Sequence, residues 1–176
     1  MLDKLVPKVR EHYVEHFRAF VAQQKSTGKS GAAEVKFALP ADSPVFGHIH
    51  CADYVENDDG HLTVRWMQPD KRLAFPRFSE LIDGASVDVV SMSWDDVVVS
   101  FDGAHPDYAT WFDTWFDPNE RDFREDAEFT GKIHSLSVGE SDVVVDFGTA
   151  PPEALIDLID LIIAAGSKQL TLTTTR

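Results

Sequence analysis

Apolar residues in this chain recur at helical spacing in some stretches and alternate with polar residues in most others. Leu5, Val6, Val9, Tyr13, Phe17, Phe20 and Val21 make one stripe over about four turns, which predicts an amphipathic N-terminal helix over 1–25. QQKSTGKSG (23–31) ends it with glycine and serine, and AEVKFAL reads as a short strand. VFGHIHCADYVENDDGHLTVRW (45–66) reads as a β-hairpin around Asn57-Asp58-Asp59-Gly60. Further on, SVDVVSMSWDD, DVVVSF, IHSLSV and DVVVDF keep a period of two, the strand signature.

One phrase occurs twice. DVVVSFDGAHP (96–106) and DVVVDFGTAPP (142–152) agree at seven of eleven positions. Each is preceded by another alternating run and a small polar turn, WDD or GES, and followed by proline, an acid and a helical period. After Pro106-Asp107 come Tyr108, Trp111, Phe112 and Trp115; after Pro152-Glu153 come Leu155, Leu158, Ile159 and Ile162. Proline suits a first helical turn and an acid suits the positive end of the helix dipole. A weaker copy has Pro76 leading to Phe78, Leu81 and Ile82 at the same offsets. The expectation is an α+β domain spanning 1–176. The N-terminal helix is followed by hairpin–helix repeats at 33–83, 86–117 and 129–166, and by a final strand at 169–175. The strands form one antiparallel sheet with helices mainly on one face.

Charge changes the picture most. The formal net charge is −14, and residues 95–160 hold seventeen acids against three bases. Such a surface repels phosphate backbones, so neither nucleic acid nor an anionic membrane is expected as a partner. The single cysteine, Cys51, permits no internal disulfide. The opening MLDKLVPKVREHY has no apolar core of a signal peptide, and LIDLIDLIIAAG is broken by Asp157 and Asp160. These readings place the chain in the cytoplasm.

Candidate chemistry is sparse. HYVEH (12–16) matches the inverted zinc-protease pattern H-x-x-E-H, but His12 and His16 flank the apolar stripe and no third ligand stands out. GHIHC (47–51) would set His48 and His50 on one face of a strand, leaving the third ligand to His134 or an acid on another strand. DPNERDFREDAE (117–128) resembles a calcium loop at four ligand positions, but Arg121 occupies the fifth position and Asp122 replaces the glycine needed for the turn. DFG at 146–148 lacks the other kinase motifs, and Lys71, Arg72 and Arg77 form the only basic spot in the acidic middle. No cofactor is expected, and the metal candidates are weak. The leading expectation is a non-enzymatic domain of inhibitory, immunity or regulatory type, bound to a protein partner with a basic surface. Trp66, Trp94, Asp117, Glu120 and Asp122 are the expected contact residues. The alternatives are a small metal-dependent enzyme using His48 and His50, or a small-ligand domain with a cleft.

Overall fold

The computed structural model describes residues 1–68, 72–122 and 124–175. It is α+β, with an N-terminal helix and largely antiparallel sheets. Helix α1 spans Leu2–Ser26, and Val6, Val9, Tyr13, Phe17 and Val21 of the expected stripe lie buried, with Leu2 and Val14. Gly28 follows it at φ 78, a left-handed conformation that glycine adopts without cost.

The strands divide into two sheets. β1 (Ser30–Ala38), β2 (Ile49–Asp58) and β3 (His61–Arg65) form a three-stranded antiparallel sheet in that order. The β2–β3 turn falls at Asp59-Gly60, where the sequence placed it. The second sheet contains β4 (Phe78–Ile82), β5 (Ala85–Val89), β6 (Val97–Phe101), β7 (Ser135–Val138), β8 (Asp142–Asp146) and β9 (Gln169–Thr173). Their order is β4-β5-β9-β6-β8-β7. Helices α2 (Ala109–Trp115) and α3 (Glu153–Ala164) follow β6 and β8, and the Trp111 indole N–H donates to the Ala154 carbonyl at 3.0 Å. Gly166, at φ 110, follows α3 and stops it.

The repeat reading requires correction. Residues 78–82, expected to be helical, form β4, because Asp83 (φ 47) and Gly84 (φ 79) make a left-handed hairpin turn that pairs β4 with β5. The apolar positions Phe78, Leu81 and Ile82 satisfy either period, and the Asp-Gly turn decides between them. The expected hairpin within 86–117 does not form. β9 lies between β5 and β6, parallel to the first and antiparallel to the second. The intervening segment cannot serve as a tight polar turn, because Met92, Ser93 and Trp94 are buried in it. Trp94 packs on Phe147 at 4.7 Å between ring centres and accepts the Phe147 N–H on its carbonyl. Only 129–166 reads as hairpin then helix, through β7, β8 and α3. The duplicated phrase instead supplies two neighbouring strands, in which Val97, Val98 and Val99 face Val145, Val144 and Val143.

The two sheets meet at residue 134. His134 donates its backbone N–H to the Asp146 carbonyl at the end of β8, and its own carbonyl accepts the Cys51 N–H of β2, both at 2.8 Å. An isolated bridge between Val45 and Ser137 adds a second tie.

A buried histidine among three carboxylates

At this junction the side chains of four chain segments converge on His134, which is wholly buried. Nε2 lies 3.1 Å from Glu34 Oε1 and Nδ1 lies 3.1 Å from Asp53 Oδ1, with Asp146 Oδ1 3.8 Å from Nδ1. Glu34 and Asp53 stand opposite one another across the β1–β2 ladder, between the pairs Ala33–Tyr54 and Val35–Ala52. Glu34 itself sits at φ 53, left-handed backbone that costs a non-glycine residue about 1–2 kcal/mol. Strain of this kind persists where the surroundings over-determine it. Here the strain turns the carboxylate onto the imidazole.

Each acid is held by further donors. Glu34 accepts from the Thr130 N–H at 2.7 Å, the Thr130 hydroxyl at 3.0 Å and the Thr149 hydroxyl at 2.5 Å. The Thr149 hydroxyl in turn accepts the Gly131 N–H. Asp53 Oδ2 accepts the Met67 N–H at 2.7 Å, and Asp146 Oδ1 accepts the Gly148 N–H at 2.9 Å. The Phe17 ring of α1 closes over the imidazole edge-on, 5.8 Å between ring centres.

The electrostatics follow from this packing. Burial opposes a charge on His134, but the carboxylates of Asp146, Asp53 and Glu34 outweigh it and hold the imidazole well above its ordinary pKa. Geometry says the same: both ring nitrogens face carboxylate oxygens, and only the imidazolium donates from both. The Cys51 thiol, buried beside it, is pushed up to about 12 and stays neutral. Burial also disfavours ionised Glu34, but the His134 and threonine donors prevail and its carboxyl lies below its usual range. Asp146 is different. Burial and the neighbouring Asp53 and Asp95 carry its carboxyl up to about 7 against the opposing pull of His134 and the Gly148 N–H. Three carboxylates meet one imidazolium, so the cluster lacks positive charge, and Asp146 carries the shortfall.

Asp146 and Asp53 also open outward. They line a cleft of about 390 Å³ together with Tyr13, His50, Trp66, Asp95, Asp96 and Ser135. No lysine or arginine among the described residues lines it. Asp146 keeps 21% of its side chain exposed there. Trp66, 45% exposed, meets the His50 ring edge-on at 5.1 Å. Nδ1 of His50 is buried and has no hydrogen-bond partner among the described residues.

The residues singled out from the sequence are distributed differently. His48 lies in a short 3-10 turn at φ 50 and is exposed, while His50 is the second residue of β2 and half-buried, so the two do not share a strand face. The glycine at 47, at φ 68, breaks the alternation that reading assumed. His12 and His16 are neighbours on α1, 4.4 Å between ring centres, and His16 Nδ1 contacts the His12 carbonyl at 2.7 Å. His134 joins neither pair. Trp66 is exposed as expected, but Trp94 is 1% exposed and belongs to the core. Asp117 is likewise 1% exposed, because its carboxylate accepts the N–H groups of Arg121 and Asp122. Glu120 and Asp122 are exposed, and Asp122 pairs with Lys132 at 2.8 Å. Of the basic spot, Arg77 lies 3.9 Å from Asp88, Arg72 is exposed, and Lys71 lies outside the described residues.

No family model, no curated protein and no solved structure matches this chain. Among the described residues, no helix is long and apolar enough to cross a membrane.

Proposed function

We propose that the protein is a binding protein and that the cleft beside Asp53 and Asp146 is its working site, taking a positively charged ligand. The observation that carries this reading is the charge imbalance at the cleft floor. Glu34, Asp53 and Asp146 face a single imidazole, and burial, with the neighbouring Asp53 and Asp95, carries the Asp146 carboxyl up to about 7. A cation entering the cleft meets ionised or readily ionised aspartates, and Trp66 at the rim offers a ring face to an organic cation. Perturbed carboxyls in a cleft mark working sites more often than ordinary surface. The test is a titration of the full chain with divalent ions and with spermidine, followed by the indole signal of Trp66 and the ring signals of His50. Saturable shifts that vanish in Asp146→Asn support the reading. Shifts by no cation at millimolar concentration, or equal shifts in the variant, overturn it.

A second reading is that of a domain for a protein partner with a basic surface, acting in a reducing cytoplasm. One observation favours it. All three bases of residues 95–160 are already paired to acids of the same segment: Arg121 with Asp113 and Asp117, Arg124 with Asp126, and Lys132 with Asp122. Glu120, Glu125 and Glu140 are exposed and have no ion-pair partner among the described residues. Association through such a surface is fast at low salt and slows as the Debye length shortens from about 30 Å at 0.01 M to about 8 Å at 0.15 M. Reversing Glu120, Glu125 and Glu140 removes that salt dependence; a partner indifferent to both changes excludes this reading.

A further inference from the structure

We propose that the cation taken by this cleft is a divalent transition-metal ion, bound by His134 Nδ1, Asp53 and Asp146, with a fourth position open to the cleft. The inference rests on the cation-binding reading above and names its ligand. The three residues offer donor atoms that all lie within 4.8 Å of one another. Donors set about 2.1 Å from a tetrahedral ion are separated from each other by about 3.4 Å. The distances from Nδ1 to Asp53 Oδ1 and Asp146 Oδ1, 3.1 and 3.8 Å, bracket that value. With all three donors inside 4.8 Å of one another, side-chain adjustment alone could close them on one ion.

The surroundings of these three residues have the form that metal ligands require. A ligating histidine donates its second N–H to a carboxylate or carbonyl, which fixes the ring and raises its basicity. His134 Nε2 meets Glu34 Oε1 at 3.1 Å, and Glu34 is itself fixed by Thr130 and Thr149. The two carboxylates are oriented in the same manner, each by one backbone N–H, from Met67 and from Gly148. Glu34 lies behind the imidazole, while Asp53 and Asp146 line the cleft in front. The ring thus presents Nδ1 to the side from which an ion arrives. An ion bound there takes the place between Nδ1 and Asp53 Oδ1 and brings positive charge to a cleft floor lined by two carboxylates.

The donor set selects the ion. One imidazole nitrogen and two carboxylates, with room for one or two further ligands, suit Zn²⁺, Mn²⁺ or Fe²⁺. Ca²⁺ takes six to eight oxygens, and Mg²⁺ keeps several waters in octahedral geometry, so neither gains much from the nitrogen. The open position faces the cleft, where the buried Nδ1 of His50 has no partner among the described residues. A water on the ion or on His50 has its place there.

The test uses the full chain, treated with a chelator, then titrated by calorimetry with Zn²⁺, Mn²⁺, Mg²⁺ and spermidine in two buffers of different ionisation enthalpy. The expected result is one equivalent of Zn²⁺ or Mn²⁺, Mg²⁺ bound at least tenfold more weakly, and protons released as Zn²⁺ binds. Asp146→Asn, which keeps an oxygen for the Gly148 N–H, weakens Zn²⁺ by tenfold or more, and Asp42→Asn, at an exposed residue, leaves it unchanged. Nitrogen-15 imidazole spectra of the unaltered chain provide a measurement that needs no variant: Zn²⁺ shifts His134 Nδ1 while Nε2 keeps its proton. Spermidine binding without stoichiometric Zn²⁺ overturns the metal and leaves the cleft reading standing. Binding of neither overturns both. Zn²⁺ uptake that leaves the His134 spectrum unmoved, or that persists in a folded Asp146→Asn variant, also overturns the proposal.

Discussion

The imidazole of His134 occupies the space that a side chain at residue 148 would need. Gly148 sits at φ 47, and a Cβ built there would overlap Cδ2, Nε2 and Cγ of the ring. Its own N–H is the donor that orients Asp146. One glycine therefore serves the cluster twice, by yielding room to the histidine and by turning its amide to the carboxylate.

Gly148→Ala combines a left-handed backbone, which costs a non-glycine residue about 1–2 kcal/mol, with overpacking against a buried ring, which costs about 1–3 kcal/mol. A loss of roughly 2–5 kcal/mol is expected in urea unfolding, with little change in m. Gly131→Ala is the control, because a Cβ there meets nothing within 4 Å, although its φ of 68 carries the backbone part of the cost. The difference between the two variants measures the contact with His134. Equal losses in both would mean that the ring yields freely.

The last strand is the centre of the larger sheet. β9 is hydrogen-bonded to β5 on one side and β6 on the other, and Leu170 and Leu172 are almost wholly buried. Truncation after Gly166 should abolish cooperative unfolding, because it splits the six-stranded sheet into a two-stranded and a three-stranded fragment. The measurement is thermal melting by circular dichroism. A truncated chain that melts cooperatively within a few degrees of the whole one would show that β5 and β6 can pair directly.

What the sequence made legible, and what it did not, has a physical basis. The stripe from Leu5 to Val21, the helix after Pro152 and the turn at Asp59-Gly60 were legible because each is a local pattern of several residues. The insertion of β9 between β5 and β6 was not, because strand order depends on contacts far apart in sequence. Trp94 was misplaced because polar neighbours made its segment resemble a turn, whereas the indole is in the core against Phe147. The cluster was least legible of all. Glu34, Asp53, His134 and Asp146 belong to four different segments, and no spacing links them. One signal was present: Asp53 stands between Ala52 and Tyr54 in a buried run, and a buried acid needs a partner.

Cys51 should behave as an inert thiol. It is 1% exposed, and burial lifts its pKa to about 12, so that about one molecule in ten thousand carries a thiolate at pH 8. Alkylation by iodoacetamide under native conditions should therefore proceed at least a hundredfold more slowly than in urea. A native rate close to that of the unfolded chain would show that the sheet junction opens readily, since Cys51 donates its N–H to the His134 carbonyl there.

Asp117 separates two roles that the sequence could not tell apart. It is one of the acids of the charged 117–128 segment, yet it is 1% exposed at φ 52, while its neighbour Glu120 is exposed. Its carboxylate accepts the Arg121 and Asp122 N–H groups at 3.1 and 2.9 Å, and its carbonyl accepts Lys36 Nζ at 2.7 Å. Burial opposes its ionisation, but the two backbone donors and Arg121 prevail, so its folded pKa lies below the usual aspartate value. A group with a depressed folded pKa binds more protons when unfolded, so its stabilisation is fully present above the unfolded pKa, near 4. That stabilisation is lost as pH falls through the lower folded value. Asp117→Ala removes the acceptor and leaves two amides without it, at a cost of about 1–3 kcal/mol at pH 7. The gap between the unaltered chain and the variant should narrow below pH 4, and Glu120→Lys should change stability by no more than about 0.5 kcal/mol at either pH. Urea unfolding at pH 7 and pH 3 checks all three. A gap that stays constant across that range would mean that the carboxylate is not what holds the turn.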